Sequence, residues 1–447
     1  MKKSSKMVLT LGSIATTIAA IPMVSSACSS KISPITKKQN TGNENHPKEI
    51  AEANKVAGIV SNPEFQNAET PTEAFGMCVI TDGGNINDGS FNQSAWEGLL
   101  QVAKDQKIKT DLYDVLEVQH QKFDEAYEAA LNKNFKYWVL PGFLHLDPIK
   151  KFYKDNKETF QKKGIVIIGI DFLVTGEYGA QLDEGAGISL LFNTKEGGFA
   201  AGYAAAKYLS QEANENDRDF ATFGGGTFPG VTDFNEGFYK GAIYWNTKNP
   251  SNKVKSTTAT VDLTSGFEAK DPMATSVTKA LSNNPKLVMA VAGIATNEVA
   301  KSMNDDVLLV GVDTDQSKSA SKNKNRFFTS ILKRIGQATY DTLGALVSGK
   351  LLNQNLGGYV AFGENNAKSG LLQKGINDNW IGLADTTLTG SERTKAEAAL
   401  AEGMSKFKSL TTEELNWLHS GKVNLSDADE NTDLQSRLNA LNDLLKK

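Results

Sequence analysis

Cysteine occurs only twice in 447 residues, at Cys28 and Cys78, and histidine only four times, at His46, His120, His145 and His419. So thin a supply excludes a disulfide scaffold and any multi-cysteine metal site. It also leaves almost no material for zinc chemistry or a Cys–His nucleophile, and no serine or acid has a histidine partner at a suggestive spacing. No metal, cofactor or catalytic activity is therefore expected. A basic excess is missing too. The net charge is −4, with no clustered basic face, which argues against a nucleic-acid partner. The glycine-rich "FGGGTFPG" at 223–230 lacks the Lys-Ser/Thr of a phosphate-binding loop and the spacing of a dinucleotide fold, so it reads as a turn.

What is present is ordinary globular material, 40% apolar and 22% charged, in a chain long enough for two or three domains. The first 27 residues stand apart. Lys2, Lys3 and Lys6 precede an apolar stretch, Met7 to Val24, which ends at Ser25-Ser26-Ala27-Cys28. Small residues before a cysteine, after a stretch at the low limit for a membrane span, predict a lipoprotein signal with Cys28 as the acylated residue. The mature chain is then anchored to the extracytoplasmic face of a cell membrane by acyl chains, several of which are needed for stable attachment. Residues 28–71 are polar and without apolar periodicity, and are expected to form a flexible tether. Cys78, inside an apolar run, is expected to be a small buried core residue.

From Phe75 onward, apolar β-rich runs such as "FGMCVIT", "KYWVLPG", "GIVIIGIDF", "KLVMAVAG" and "DVLLVGVDTD" alternate with amphipathic segments such as "SAWEGLLQVAKDQ" and "EGGFAAGYAAAKYLS". Continuous rather than alternating apolar strands, each followed by a helix, predict an α/β protein with parallel sheets covered on both faces. Three hundred such residues, roughly, exceed one sheet's usual size and predict two lobes. Ligands in such sheets bind at the carboxyl ends of strands. The residues there are Asp82, Gly142 to Asp147, Asp171, Gly293 and Asp313. Each alone is also explained by helix capping or turn-making. After about Ala384 the chain is polar and helix-forming, and residues 385–447 read as appended helices.

One stretch, "TDGGNINDGSFNQSAWEGL" at Thr81 to Leu99, is heavily equipped for a strand-to-helix connection, with four glycines, three asparagines and two aspartates. It resembles the signature of the basic membrane protein (BMP) family, the purine-nucleoside-binding lipoproteins of bacterial ABC importers. Further matches follow in order: "GFLHLD" at 142–147, "EGGFAAGYAA" at 196–205, "FGGGTFPGVTDFNEGFYKG" at 223–241, "VAGIATNEV" at 291–299, "VGVDTDQS" at 310–317 and "FTSILK" at 328–333. The resemblance covers roughly residues 72–360. It implies the type I periplasmic-binding-protein fold, two doubly wound parallel-sheet lobes with the ligand in the cleft between them. The expected order is lobe 1 over 72–195, lobe 2 over 196–315 and a return to lobe 1 over 316–384, with hinges near 190–200 and 315–330.

The resemblance also implies a site. Phe91 matches the ring that stacks on the base, although alone it reads as a helix-start core aromatic. Met289 falls where the family usually has a second stacking phenylalanine, and Phe267 matches a further lining aromatic. Asp147 matches the carboxylate that receives the purine N–H; with Pro148 after it, it is also a standard helix start. Asp82 and Asn92 match positions near the sugar, as do Asp313 and Lys333, which pair as acceptor and donor for the ribose diol. Gly293 lets backbone approach the ligand. The implied partners are a nucleoside and a membrane permease. The competing expectation is an adhesin or surface antigen that keeps the fold without the ligand.

Overall fold

The computed structural model describes residues 46–66, 76–82, 85–348 and 356–446. The predicted lipidation residue Cys28 lies outside them. Among the described residues no helix is long and apolar enough to cross a membrane.

Continuous apolar runs become strands buried on both faces. The chain passes from α1 (Pro63–Gln66) into β1 (Gly76–Ile80), α2 (Phe91–Asp105), β2 (Tyr113–Leu116), α3 (Phe123–Asn132), β3 (Phe135–Pro141), α4 (Leu146–Lys163), β4 (Val166–Ile170) and β5 (Gly187–Phe192). It continues through α5 (Thr194–Leu209), β6 (Asp219–Gly224), α6 (Pro229–Lys248), β7 (Lys255–Ser256), α7 (Asp271–Leu281), β8 (Leu287–Val291), α8 (Ala295–Ser302), β9 (Leu308–Asp313), α9 (Gln316–Ser319) and β10 (Phe327–Lys333). Then come α10 (Ile335–Val347), β11 (Gly370–Lys374), β12 (Ile381–Leu383), α11 (Gly390–Lys408), α12 (Thr412–His419) and α13 (Leu434–Leu444).

The strands form two six-stranded sheets, in the orders β11-β5-β4-β3-β1-β2 and β12-β10-β9-β8-β6-β7. All pairings are parallel except β10 with β12. Period-2 alternation sends Met77 and Val79 of β1 into one core and Cys78 and Ile80 into another, so each lobe carries a core on either side of its sheet. In β8, likewise, Leu287, Met289 and Val291 face one core and Val288 and Ala290 the other.

The chain crosses between lobes at Asn193, at Arg334 and over residues 375–380. This moves the expected boundary. "FTSIL" does not return to lobe 1 after 315, because β10 pairs with β9 along Phe327–Leu332 and buries Phe327 and Phe328 in lobe 2. The second crossing therefore lies at Arg334, and β12 also belongs to the second sheet.

The tether expectation also needs correction within 46–66. Ile50, Val56 and Phe65 are buried against lobe 1. The backbone N–H groups of Val56 and Ala57 donate to Glu97 of α2 at 3.0 and 2.7 Å, and Trp96 Nε1 donates to Lys48 O at 2.8 Å. An extended segment held by side chains of helices distant in sequence carries no periodic signal, so composition alone made it look free. The appended C-terminal helices pack on lobe 2 and also reach the lobe 1 core, which Phe407, Trp417 and Leu418 join. Ala396, Ala399 and Leu400 of α11 and Leu438 and Leu441 of α13 join the lobe 2 core.

Candidate functional site

At the end of β1 the loop chemistry is directed inward. Asp88 caps α2, accepting from the backbone N–H groups of Ser90, Asn92 and Gln93 at 2.8, 2.9 and 3.1 Å. The Asn92 amide is committed on both sides. Its Nδ2 donates to Asp82 Oδ1 at 2.9 Å and Asp88 Oδ2 at 3.0 Å, while its Oδ1 accepts from Asp82 N at 3.1 Å. Asn92 is 3% exposed, and its amide is spent on orienting Asp82 and on Asp88. Gly142, at φ +108°, makes room for that carboxylate, since a Cβ there would lie 2.4 Å from Asp82 Oδ2.

The carboxyl ends of the two sheets meet at Lys333. Its ammonium pairs with Asp171, which directly follows β4 in the other lobe, and the lysine is 2% exposed. It also lies 5.3 Å from the ring centroids of Phe91 and Phe192 and 6.0 Å from that of Phe234. Asp313 ends the neighbouring strand β9. Both Asp171 and Asp313 adopt left-handed backbone, at φ +66° and +67°, which aspartate tolerates better than most side chains. Burial pushes the Asp313 carboxyl up to about 6; Lys333 opposes this, while Asp171 and Asp88 add to it. Burial likewise takes Asp82 to about 6, against the Asn92 hydrogen bond and reinforced by Asp88 and Asp171. Lys333 thus offsets two of these carboxylates, Asp171 and Asp313, while Asp82 leans on the Asn92 amide and Asp88 on the first turn of α2. Such a site is rich in acceptors and short of donors.

Aromatic rings line the same region. Phe143, just after β3, and Phe228, just before α6, meet from opposite lobes with centroids 3.8 Å apart, and Phe228 lies 6.0 Å from Phe267. Phe267 is 41% exposed, beside the Gly225 turn. The lobes also touch through a hydrogen bond from Thr314 Oγ1 to Gly89 O at 3.0 Å. Gly293, at φ +51°, has open space where a Cβ would stand, and its carbonyl accepts from Gln316 Nε2 at 2.8 Å.

The structure therefore brings together Asp82, Phe91, Asp313 and Lys333, with Phe267 in the ring row. Met289 is not among them. It is fully buried in mid-strand, on the core side of β8, where alternation places it with Leu287 and Val291. Asp147 stands exposed in the first turn of α4, with no side-chain partner among the described residues. Asp171 and Phe143 lie at strand ends that the sequence singled out but were given no ligand role there, and Phe228 was not singled out at all. Asp171 and Phe143 follow strands directly, which was a usable signal, whereas Phe228 sits in the turn "FGGGTFPG" and had none. Among the described residues no group of three His, Cys, Asp or Glu is arranged to hold a metal ion.

Residues 76–384 match the model of a family described as ABC transporter substrate-binding protein PnrA-like. Basic membrane protein B of Borreliella burgdorferi is 26% identical over 336 residues, covering 70% of this chain and 82% of that protein. The ABC transporter nucleoside-binding protein BmpA of Lactococcus lactis subsp. cremoris is 26% identical over 316 residues, 65% of this chain and 82% of that one. Among solved structures, an ABC transporter solute-binding protein from Aeropyrum pernix K1 superposes with a TM-score of 0.53 at 19% identity, over 77% of this chain and 89% of that one. That likeness carries the fold alone.

Proposed function

Starting from the fact that the chain belongs to the PnrA-like family of ABC transporter substrate-binding proteins, we propose that it captures a purine nucleoside between its lobes and presents it to a membrane permease. The observation that carries this reading is the donor-poor cluster at the carboxyl ends of both sheets, Asp82, Asp171 and Asp313 around Lys333. A ribose diol supplies the missing donors, and hydrogen bonds to charged acceptors contribute about 1.5–3 kcal/mol each. Lys333 donates to a sugar oxygen. Phe267, with Phe143 and Phe228, offers flat apolar surface to the base, and such ring contacts add about 0.5–1.5 kcal/mol beyond area burial. Asp147, free at the start of α4, is the acceptor for the base edge. Cys28 holds the protein to the extracytoplasmic face of the membrane through acyl chains. The 26% identity to a protein named as nucleoside-binding supports the same ligand class.

A thermal-shift panel of adenosine, guanosine, inosine, uridine and cytidine tests this. A purine ribonucleoside raises the melting temperature, because selective binding to the folded state stabilises it, and 2′-deoxyadenosine acts more weakly than adenosine. Silence across the panel ends the nucleoside reading. One observation favours a surface antigen that keeps the fold and has lost the ligand. The Phe143 and Phe228 rings are in contact across the cleft, and under that reading nothing parts them.

A further inference from the structure

The family match ends at Ala384, and α11, α12 and α13 lie beyond it. They are attached to lobe 2 through charge as well as apolar contact. Glu236 of α6, fully buried, is paired with Lys240 at 2.7 Å, Lys195 at 3.0 Å and Arg437 of α13 at 2.9 Å. The Lys240 ammonium also donates to the carbonyls of Trp417, Leu418 and Ser420 at 2.8, 3.3 and 3.0 Å, and Lys195 donates to His419 O at 3.3 Å. These are the last carbonyls of α12, the partially negative end of a helix.

The place of this attachment matters more than its strength. Lys195 and Glu196 stand in the first turn of α5, directly after the crossing at Asn193. Glu196 Oε2 accepts from the backbone N–H of Ile376, in the third crossing, at 2.7 Å, and its Oε1 lies 3.4 Å from His419 Nε2. A Cβ on Gly375 would lie 2.0 Å from the same carboxylate, so the crossing is seated tightly. Phe407, Leu410, Trp417 and Leu418 of the extension share one buried cluster with Phe192, Ile376, Trp380 and Ile381, which flank both crossings, and with Met77 and Val79 of lobe 1. The apolar contact thus spans the hinge, while the charged contacts are made with α5 and α6.

We propose that the C-terminal extension is a hinge clamp, holding two of the three interlobe crossings to lobe 2 through His419, Glu196 and the Glu236–Arg437 pair, and so setting how far the cleft opens. Lobe closure in this fold is absorbed by a few residues whose φ and ψ change. Crossings whose backbone and flanking side chains are pinned in this way move with lobe 2, and the bend is left to the remaining crossing at Arg334. The inference holds whatever solute the cleft takes.

The test uses the full ligand-free chain with Cys28→Ser and spin labels at Lys162→Cys of α4 and Asp305→Cys before β9, both exposed positions in opposite lobes. With the clamp intact, pulsed electron resonance gives one narrow interlobe distance. His419→Ala and Glu196→Gln broaden it towards longer distances and speed hydrogen exchange at the Ile376 amide by roughly tenfold or more. Arg437→Gln does the same more strongly where it folds. Unchanged distances and exchange in folded His419→Ala and Glu196→Gln overturn the proposal. So does equal broadening by Lys395→Ala on the exposed side of α11, since general loosening then explains the effect.

Discussion

The cleft and the base of the C-terminal extension each bury a cluster of charge, and the two are built in opposite ways. In the cleft, among the described residues, Lys333 pairs with Asp171 and offsets Asp313, and Asp82 and Asp88 stand close by. Beneath the extension, Lys195, Lys240 and Arg437 surround Glu236, with Asp233 of the same helix 3.8 Å from Lys195. Burial raises the Glu236 carboxyl, yet Lys240, Lys195 and Arg437 hold it below its ordinary range. The surplus donors there end on carbonyls, Lys240 on those of α12 and Arg437 Nη1 on Asn431 O at 2.6 Å. In the cleft Asp88 is met by the first turn of α2 and Asp82 by Asn92, yet burial still drives the Asp82 and Asp313 carboxyls to about 6. A saturated cluster is a joint. An unsaturated one is prepared for a partner that brings what is missing.

The largest effect that tests this contrast is expected from Glu236→Gln or Arg437→Met. Removing one partner of a buried pair leaves the other charge uncompensated and costs about 3–5 kcal/mol, read as a lower urea midpoint. A change below 1 kcal/mol, roughly the range of an exposed pair, would show that the cluster is not a joint. Next comes Asp313→Asn in the cleft. Purine-nucleoside affinity falls about 10- to 100-fold, the equivalent of one charged hydrogen bond, while the melting temperature of the empty protein holds or rises. Loss of stability without loss of affinity would reverse the assignment.

A pH titration separates the two clusters more gently. Asp82 and Asp313 titrate from about 6 in the folded chain against 3.8 for the ordinary group. The folded state then binds more protons than the unfolded one between these values, so these two groups favour folding at the acid end and that contribution is lost as pH rises through 6. Ligand affinity moves the other way, falling as the pH drops below 6 and the acceptors are protonated. Isothermal binding and melting at pH 5 and pH 7 check both signs, and affinity that does not change with pH would remove these carboxylates from the site. The smallest effect is expected at Met289→Leu, a volume-conserving change in a core, costing less than about 1.5 kcal/mol with nucleoside affinity unchanged. A tenfold affinity loss there would return Met289 to the cleft.

Much of this architecture was legible locally. Apolar runs such as "GIVIIGIDF" and "KLVMAVAG" became β4 and β8 because a strand buried on both faces has no polar side to show. Asp82, Asp171 and Asp313 were visible as strand-end acids for the same reason. Met289 was misplaced because a motif match locates a residue along the chain and not on a face. That Asn92 spends its amide on Asp82 and Asp88 could not be foreseen, because which polar side chains bond one another is not a property of composition.

By itself, then, the order of apolar runs and turns determined two parallel-sheet lobes and the ends at which a ligand would sit, since period and burial act within a few residues. Only the tertiary structure decided that Asp171 meets Lys333, that Phe143 meets Phe228, and that Arg437 reaches Glu236. Each of these contacts joins groups far apart in sequence. Each depends on how one finished lobe is set against the other, or how the extension is set against both crossings. That relation is fixed by packed surfaces, and no local periodicity records it.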